Sequence, residues 1–174
     1  MSLMYYLQSM EYSIVYMSKT GNTRLLADTL RSKLSSQKEI YFGTPDDRAL
    51  DAEIIFIGFW TDKGRASDEL VEFIRKIHGK KVYVFGTAGF GVSQEYFDRL
   101  LSTVKSDIAD DNEYLGGFMC QGKMPMVVRE MYEKQAHLNP EKFQPLIDNF
   151  DMALSHPDQG DLDNLVEDVR NKIF

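Results

Sequence analysis

The sequence has few of the residues that build metal centres and disulfide bonds. Its 174 residues include one cysteine, Cys120, and three histidines. A single cysteine excludes a disulfide within the chain, and His78, His137 and His156 lack the spacing of zinc ligands. The sequence therefore predicts no metal site.

Long apolar runs are also missing. The apolar stretch Ile54–Trp60 is short and contains a glycine, whereas a helix that crosses a bilayer needs about 20 apolar residues. Residues 1–11 contain no basic residue and no small-residue cleavage site, so they do not resemble a secretory signal. We therefore expect a cytoplasmic protein without a membrane-spanning segment.

The charge is weighted toward acid, with 27 acidic residues against 20 basic ones and a formal net charge of −7. Such a surface repels phosphate backbones at long range, which argues against nucleic acid as a partner. The 12 glycines and 5 prolines are ordinary proportions, so collagen-like and low-complexity architectures are excluded. With 43% hydrophobic residues, the composition predicts one globular domain over 1–174.

Short runs rich in β-branched and aromatic residues recur along the chain. Because they are almost continuously apolar, they are typical of strands buried on both faces, as in a parallel sheet covered by helices. Three runs are clear and two are weaker. The clear strands are predicted at Tyr12–Tyr16, Glu53–Gly58 and Lys81–Gly86, and the weaker ones at Glu39–Phe42 and Tyr114–Cys120.

Segments with helical spacing separate these runs. Leucine, isoleucine, valine and phenylalanine mark one face of each segment, and serine or aspartate stands at most of their starts. The alternation predicts a doubly wound α/β fold with a five-stranded parallel sheet and helices on both faces. The predicted helices are Asn22–Ser35, Ser67–Ile77, Ser93–Ser106 and Asp161–Ile173.

Residues 124–157 do not fit the alternation. This segment is rich in methionine, aromatic residues and charge, and two parts of it, Val127–Gln135 and Phe143–Leu154, have helical spacing. We interpret it as a helical insertion before the last helix. If Val127–Leu154 folds over the ligand edge of the sheet, it would act as a lid or as a substrate pocket.

The first predicted strand leads into a helix through a loop dense in hydrogen-bond donors. Ligands of open α/β sheets bind beyond the carboxyl ends of the strands. Hydroxyl groups, a glycine and a helix N-terminus together suit a phosphate dianion, although a plain turn with a helix cap uses the same residue types. The loop consists of Ser18, Lys19, Thr20, Gly21, Asn22 and Thr23.

Other phosphate motifs are missing from this loop. It matches neither the Walker pattern nor the Gly-x-Gly-x-x-Gly fingerprint of dinucleotide-binding proteins. A phosphorelay receiver would have an acidic pair where Met17 and Ser18 stand. A cysteine-based phosphatase would have an arginine six residues after Cys120, where the sequence has Met126.

The run Thr20-Gly21-Asn22-Thr23, with a hydroxyl residue before it, resembles the FMN-phosphate loop of the flavodoxin family. The resemblance extends over Tyr12–Gly122 and the last helix. It implies the strand order 2-1-3-4-5 and FMN as the cofactor. It also implies an aromatic residue against the flavin from the loop after the third strand, and backbone donors from the loop after the fourth.

The resemblance assigns the cofactor-binding residues by loop. Trp60 is expected to stack on the flavin, with a core anchor as the alternative, and Phe90 could contact the flavin or fill the base of the next helix. Cys120 is interpreted as a buried small residue rather than a redox thiol. No catalytic side chain is expected. The assigned residues beyond the first loop are Phe59, Trp60, Thr61, Asp62, Lys63, Gly64, Thr87, Ala88, Gly89, Phe90, Gly91, Cys120, Gln121 and Gly122.

Two cations, Lys63 and Arg65, stand in the loop that is expected to face the flavin. A positive charge near the ring stabilises its anionic reduced form, so the sequence favours a less reducing potential than that of an ordinary flavodoxin. The alternative is that both side chains point to solvent.

The leading hypothesis is an FMN-binding, flavodoxin-like electron carrier between a reductase and an acceptor protein. The alternative is an NAD(P)H-dependent flavin reductase of the FMN, quinone or tetrapyrrole type, in which the insertion shapes the substrate pocket. No dinucleotide signature supports that alternative. A third hypothesis is a binding module without a cofactor.

Overall fold

The computed structural model describes residues 9–61, 63–91 and 93–174, and Asp62 lies outside the described residues. All five predicted strands are present and run parallel in the order β2-β1-β3-β4-β5, which confirms the predicted fold. The strands are β1 (Glu11–Tyr16), β2 (Lys38–Gly43), β3 (Ile54–Trp60), β4 (Lys81–Ala88) and β5 (Glu113–Gln121).

Six α-helices accompany the sheet in the described part of the chain. Four of them have a side-chain cap at their start. Ser67 and Ser93, for example, each accept a hydrogen bond from the backbone N–H three residues on. A short 3₁₀-helix, Asp47–Asp51, precedes β3. The helices are α1 (Asn22–Lys33), α2 (Asp68–Ile74), α3 (Gln94–Lys105), α4 (Met126–Ala136), α5 (Pro140–Ala153) and α6 (Gln159–Ile173).

The central strands are buried on both faces of the sheet. Along β3, Ile55 and Phe59 belong to the core that α2 and α3 cover. Phe56 belongs to the opposite core, together with Leu26 of α1 and Leu165 of α6. Side chains alternate between the two faces of a strand, so an apolar residue at every position means a core on each side.

Strands β3 and β4 each extend two residues beyond their predicted ends. Trp60 pairs with Thr87 in the parallel ladder, so both residues belong to strands rather than to loops. Phe59 is 0% exposed and remains in the core. The loops after β3 and β4 therefore begin two residues later than predicted, after Trp60 and Ala88 instead of after Gly58 and Gly86.

The predicted insertion consists of α4 and α5, which lie between β5 and α6. The two helices pack against each other, and Arg129 of α4 donates to both carboxylate oxygens of Asp151 at 2.7 and 3.1 Å. Tyr132 and Phe150 are buried. Within the described ranges, no helix is both long enough and apolar enough to span a bilayer.

Candidate functional site

A cavity of about 520 Å³ opens at the carboxyl ends of the strands, a size typical of small-molecule sites. It brings together twelve of the predicted site residues from four segments of the chain. These are Lys19, Thr20, Asn22, Trp60, Thr61, Lys63, Gly64, Thr87, Ala88, Gly89, Phe90 and Gly122.

Seven other predicted residues do not line the cavity, and Asp62 lies outside the described residues. Phe59 and Cys120 are buried in the two cores on opposite faces of the sheet. Of the remaining five, Thr23 and Gln121 form hydrogen bonds with the lining residues Thr87 and Gly89. The seven are Ser18, Gly21, Thr23, Phe59, Gly91, Cys120 and Gln121.

The loop before α1 is closed by its own serine. The Ser18 hydroxyl oxygen accepts hydrogen bonds from the backbone N–H groups of Gly21 at 3.2 Å and Arg24 at 3.3 Å. Gly21 has a φ of 90°, in the left-handed region that favours glycine. Ser18 therefore shapes the loop, while Lys19 and Thr20 line the cavity.

Thr23 attaches the first turn of α1 to the sheet. Its hydroxyl lies 3.0 Å from the Thr87 hydroxyl and donates to the Phe59 carbonyl at 3.3 Å, and its side chain is completely buried. This hydroxyl is therefore engaged inside the protein. Of the N–H groups in the first turn of α1, that of Arg24 already donates to Ser18. Those of Asn22 and Thr23 have no partner within the helix, so an oxyanion at this position can accept hydrogen bonds from them.

Two buried polar atoms in the cavity wall lack a hydrogen-bond partner among the described residues: Asn22 Oδ1 and Thr61 Oγ1. Asn22 is only 7% exposed, and its Nδ2 donates to the Lys123 carbonyl at 2.9 Å, so the orientation of its amide is set. An unsatisfied buried polar atom costs about 1–3 kcal/mol. A cofactor with several hydroxyl and carbonyl groups, such as FMN, fits this wall because it supplies the missing partners.

The charge around the cavity is positive. Lys19, Lys63 and Lys123 line it, and none of the lining residues that the structure describes is acidic. The Lys19 ammonium lies 5.3 Å from the centre of the Trp60 ring. Arg65 instead pairs with Asp68 at the start of α2, so only Lys63 of the two predicted cations lines the cavity.

The glycines at this edge allow close contacts between protein segments. A Cβ atom at Gly122 would lie 2.5 Å from Asn22 Nδ2, and one at Gly89 would lie 2.5 Å from Met124 Sδ. The sequence assigned Gly122 to the cofactor-binding residues. In the structure, the close neighbour is the Asn22 side chain.

Sequence reasoning missed one wall of the cavity. Tyr96 of α3 and residues around the start of α4 line it, so the insertion does reach the ligand edge of the sheet. The methionine-rich segment after β5 was the available signal, but the pattern does not show which side of that segment faces the sheet. The missed residues are Tyr96, Lys123, Met124, Pro125, Val127 and Val128.

Cys120 is expected to be chemically inert in the folded protein. The residue is 3% exposed, and burial, aided by Asp161 and Asp158, raises the pKa of its thiol well above the ordinary value. The thiolate is the reactive form, so Ellman's reagent at pH 8 should modify Cys120 only after denaturation. A Cys120→Ala variant should bind FMN as the natural protein does. Rapid labelling of the native protein would contradict this interpretation.

The parallel sheet of order 2-1-3-4-5, with a ligand cavity where β1 and β3 end, defines a flavodoxin-like α/β protein. A family model described as the flavodoxin domain matches residues 13–170. The chain therefore belongs to the flavodoxin family, and the predicted family and its cofactor, FMN, are confirmed.

Two curated relatives carry the name flavodoxin-like domain-containing protein BilS. The chain is 36% identical over 173 residues to the protein of Clostridium symbiosum (strain WAL-14163), covering 88% of this chain and 90% of the relative. It is 32% identical over 159 residues to the protein of Clostridioides difficile (strain CD3), with the same two coverages, 88% and 90%.

The fold also matches that of a larger solved protein. Rubredoxin oxygen:oxidoreductase from Desulfovibrio gigas is similar with a TM-score of 0.52 and 12% sequence identity. The match covers 93% of this chain and 35% of that one. At this identity the similarity shows the fold alone.

Proposed function

We propose that this flavodoxin binds FMN in the cavity at the carboxyl edge of its sheet and carries electrons between a reductase and an acceptor protein in the cytoplasm. The observation that carries the proposal is the pair of unsatisfied buried polar atoms, Asn22 Oδ1 and Thr61 Oγ1, in a cavity bordered by the phosphate-type loop of α1. Bound FMN supplies the redox chemistry, and the protein holds it and tunes its potential.

Each part of the cofactor has suitable residues in the cavity. Lys19, Thr20 and the first turn of α1 suit the phosphate, since ammonium, hydroxyl and N–H groups all donate to an oxyanion. Trp60 and Phe90 offer aromatic surface to the ring. The acceptor atom Asn22 Oδ1 suits a ribityl hydroxyl, and the Thr61 hydroxyl can donate to a carbonyl.

An electron carrier needs no side chain that acts as acid or base. Lysines and one tyrosine, Tyr96, are the titratable residues among the described lining residues. Burial raises the pKa of the Tyr96 phenol above its ordinary value, so this group stays protonated near neutral pH, and the described lining residues include no carboxylate and no imidazole. This composition supports electron transfer over proton-coupled chemistry on a substrate.

One observation favours a second function, a flavin-dependent reductase. Pro125, Val127 and Val128, around the start of α4, form an apolar wall on the cavity. A ring-shaped organic substrate could lie between this wall and the flavin. In that case the insertion would belong to a substrate pocket.

Titration of the apoprotein with FMN, followed by calorimetry and by flavin fluorescence, tests the cofactor. Absence of both binding heat and any change in flavin fluorescence would refute the proposal. The loaded protein is then mixed with NAD(P)H and a quinone, with and without a flavodoxin reductase. Quinone reduction only when the reductase is present supports the carrier, whereas steady NAD(P)H oxidation above that of free FMN, without any reductase, supports the second function.

The two loop cations should affect the flavin potential differently. Lys63 lines the cavity, whereas the charge of Arg65 is paired with Asp68. A Lys63→Ala substitution should make the midpoint potential more negative by on the order of 20 mV, the size of a solvent-screened charge interaction. Arg65→Ala should leave it unchanged within error. A dye-equilibrated redox titration measures both, and equal shifts would contradict the assignment.

A further inference from the structure

The insertion reaches the loop after β4 through two side-chain amides. The Gly89 carbonyl accepts hydrogen bonds from Gln121 Nε2 at 3.0 Å and from Asn149 Nδ2 at 3.0 Å. Gln121 Nε2 also donates to Asn149 Oδ1 at 3.1 Å. Gln121 ends β5, and Asn149 belongs to α5 of the insertion. The three groups form a closed set, which we call the Gly89 clasp.

The clasp allows only one orientation of each amide. A carbonyl oxygen can only accept, so both amide groups must present nitrogen to Gly89. Turning the Asn149 amide over would place its oxygen against the Gly89 carbonyl and its nitrogen against the Gln121 nitrogen. Gln121 is also buried, at 8% exposure. The direction of the Gly89 carbonyl is therefore set from two elements at once.

The direction of this carbonyl determines where the next N–H group points. The peptide unit is planar, and in its trans form the carbonyl of Gly89 and the N–H of Phe90 point in opposite directions. Gly89 and Phe90 line the cavity, whereas Gln121 and Asn149 do not. A carbonyl held by Gln121 and Asn149 thus turns the Phe90 N–H toward the cavity side, where a flavin carbonyl can accept it.

We propose that Asn149 is a positioning residue for flavin binding: through the Gly89 clasp, the insertion orients the Gly89–Phe90 peptide that contacts the flavin ring. The inference rests on the proposed function, because it concerns the same cavity. It gives the insertion a role in the cofactor site itself. Asn149 is anchored for this role by its buried neighbours in α5, Ile147 and Phe150.

Asn149→Asp is the sharpest test, because the carboxylate keeps the acceptor for Gln121 but faces the Gly89 carbonyl with an oxygen. Loss of one hydrogen bond weakens binding by roughly three- to tenfold. We expect this loss for FMN and equally for riboflavin, since the clasp acts on the ring and not on the phosphate. In the apoprotein, the ¹⁵N–¹H resonance of Phe90 should shift.

Asn139→Ala is the matched control. Asn139 caps the start of α5 and accepts a hydrogen bond from the Lys142 N–H at 3.2 Å, so its loss destabilises the same helix without touching Gly89. It should leave the affinity for riboflavin and the Phe90 resonance unchanged. If Asn149→Asp does not fold, Asn149→Ala replaces it, with the same expectation.

Two outcomes would overturn the proposal. One is an equal loss of riboflavin affinity in the Asn149 and Asn139 variants. The other is a Phe90 resonance that stays in place when Asn149 is replaced. The second measurement uses apoprotein, so it judges the clasp even if the natural protein binds no flavin. In that event the proposed function would be wrong, while the role of Asn149 in orienting the Gly89–Phe90 peptide would still be tested.

Discussion

Replacing Asn22 with aspartate should remove most of the FMN affinity while the protein remains folded. Asn22 is buried in the first turn of α1, and its Nδ2 donates to the Lys123 carbonyl. A carboxylate cannot donate this hydrogen bond, and it would occupy the positive end of the helix that the phosphate needs. Repulsion of a dianion at close range is worth about 3 kcal/mol, so we expect at least about a hundredfold weaker binding.

Three further measurements test whether charge repulsion causes the loss of FMN affinity. Riboflavin has no phosphate, so the Asn22→Asp variant should lose much less affinity for riboflavin than for FMN. Lowering the pH toward protonation of the new carboxyl should recover part of the FMN affinity relative to the natural protein. Asn164→Asp adds the same charge at an exposed position of α6 and should bind FMN normally. An Asn22→Asp affinity within threefold of the natural one would contradict this mechanism.

Replacing Trp60 with alanine should weaken FMN binding by about tenfold to a hundredfold, because stacking on an aromatic ring contributes about 1–3 kcal/mol. Trp60 ends β3 and lines the cavity, and the Lys19 ammonium lies 5.3 Å from the centre of its ring. Trp60→Phe should retain most of the affinity, since the phenyl ring still stacks. Trp60 is the single tryptophan of the chain, so quenching of its emission by FMN reports binding directly.

An aromatic residue far from the cavity provides the control for this substitution. Phe174 is 67% exposed and lies beside the groove at the opposite edge of the sheet, where Lys81 and Glu113 begin their strands. Phe174→Ala should leave FMN binding unchanged. If FMN binds without quenching Trp60, or if Trp60→Ala binds as tightly as the natural protein, Trp60 is a strand-end anchor and the stacking interpretation fails.

The order of strands and helices could be predicted from the sequence because the burial of each element determines the pattern of apolar residues within it. Continuous apolar runs such as Ile54–Ile57 are typical of strands covered on both faces, and helical spacing separates them. The loop Ser18–Thr23 could be predicted as a phosphate site because its hydrogen-bond donors lie in consecutive residues. The assignment of Phe59 shows the limit of reasoning from the sequence. Adjacent residues of a strand face opposite sides of the sheet, so Phe59 lies in the core although its neighbour Trp60 does not.

Composition and periodicity were enough to predict the α/β class and the place of the insertion in the chain, and the resemblance of one loop to that of the flavodoxin family indicated FMN. They carried no information about Asn22 with Lys123, or about Gln121 with Asn149 and Gly89, although these pairs shape the cavity. Residues 101 positions apart, as Asn22 and Lys123 are, meet only after the sheet has assembled and the α4–α5 hairpin has packed beside it. Such contacts depend on how whole elements are placed, and a pattern of neighbouring residues records only the burial of each element.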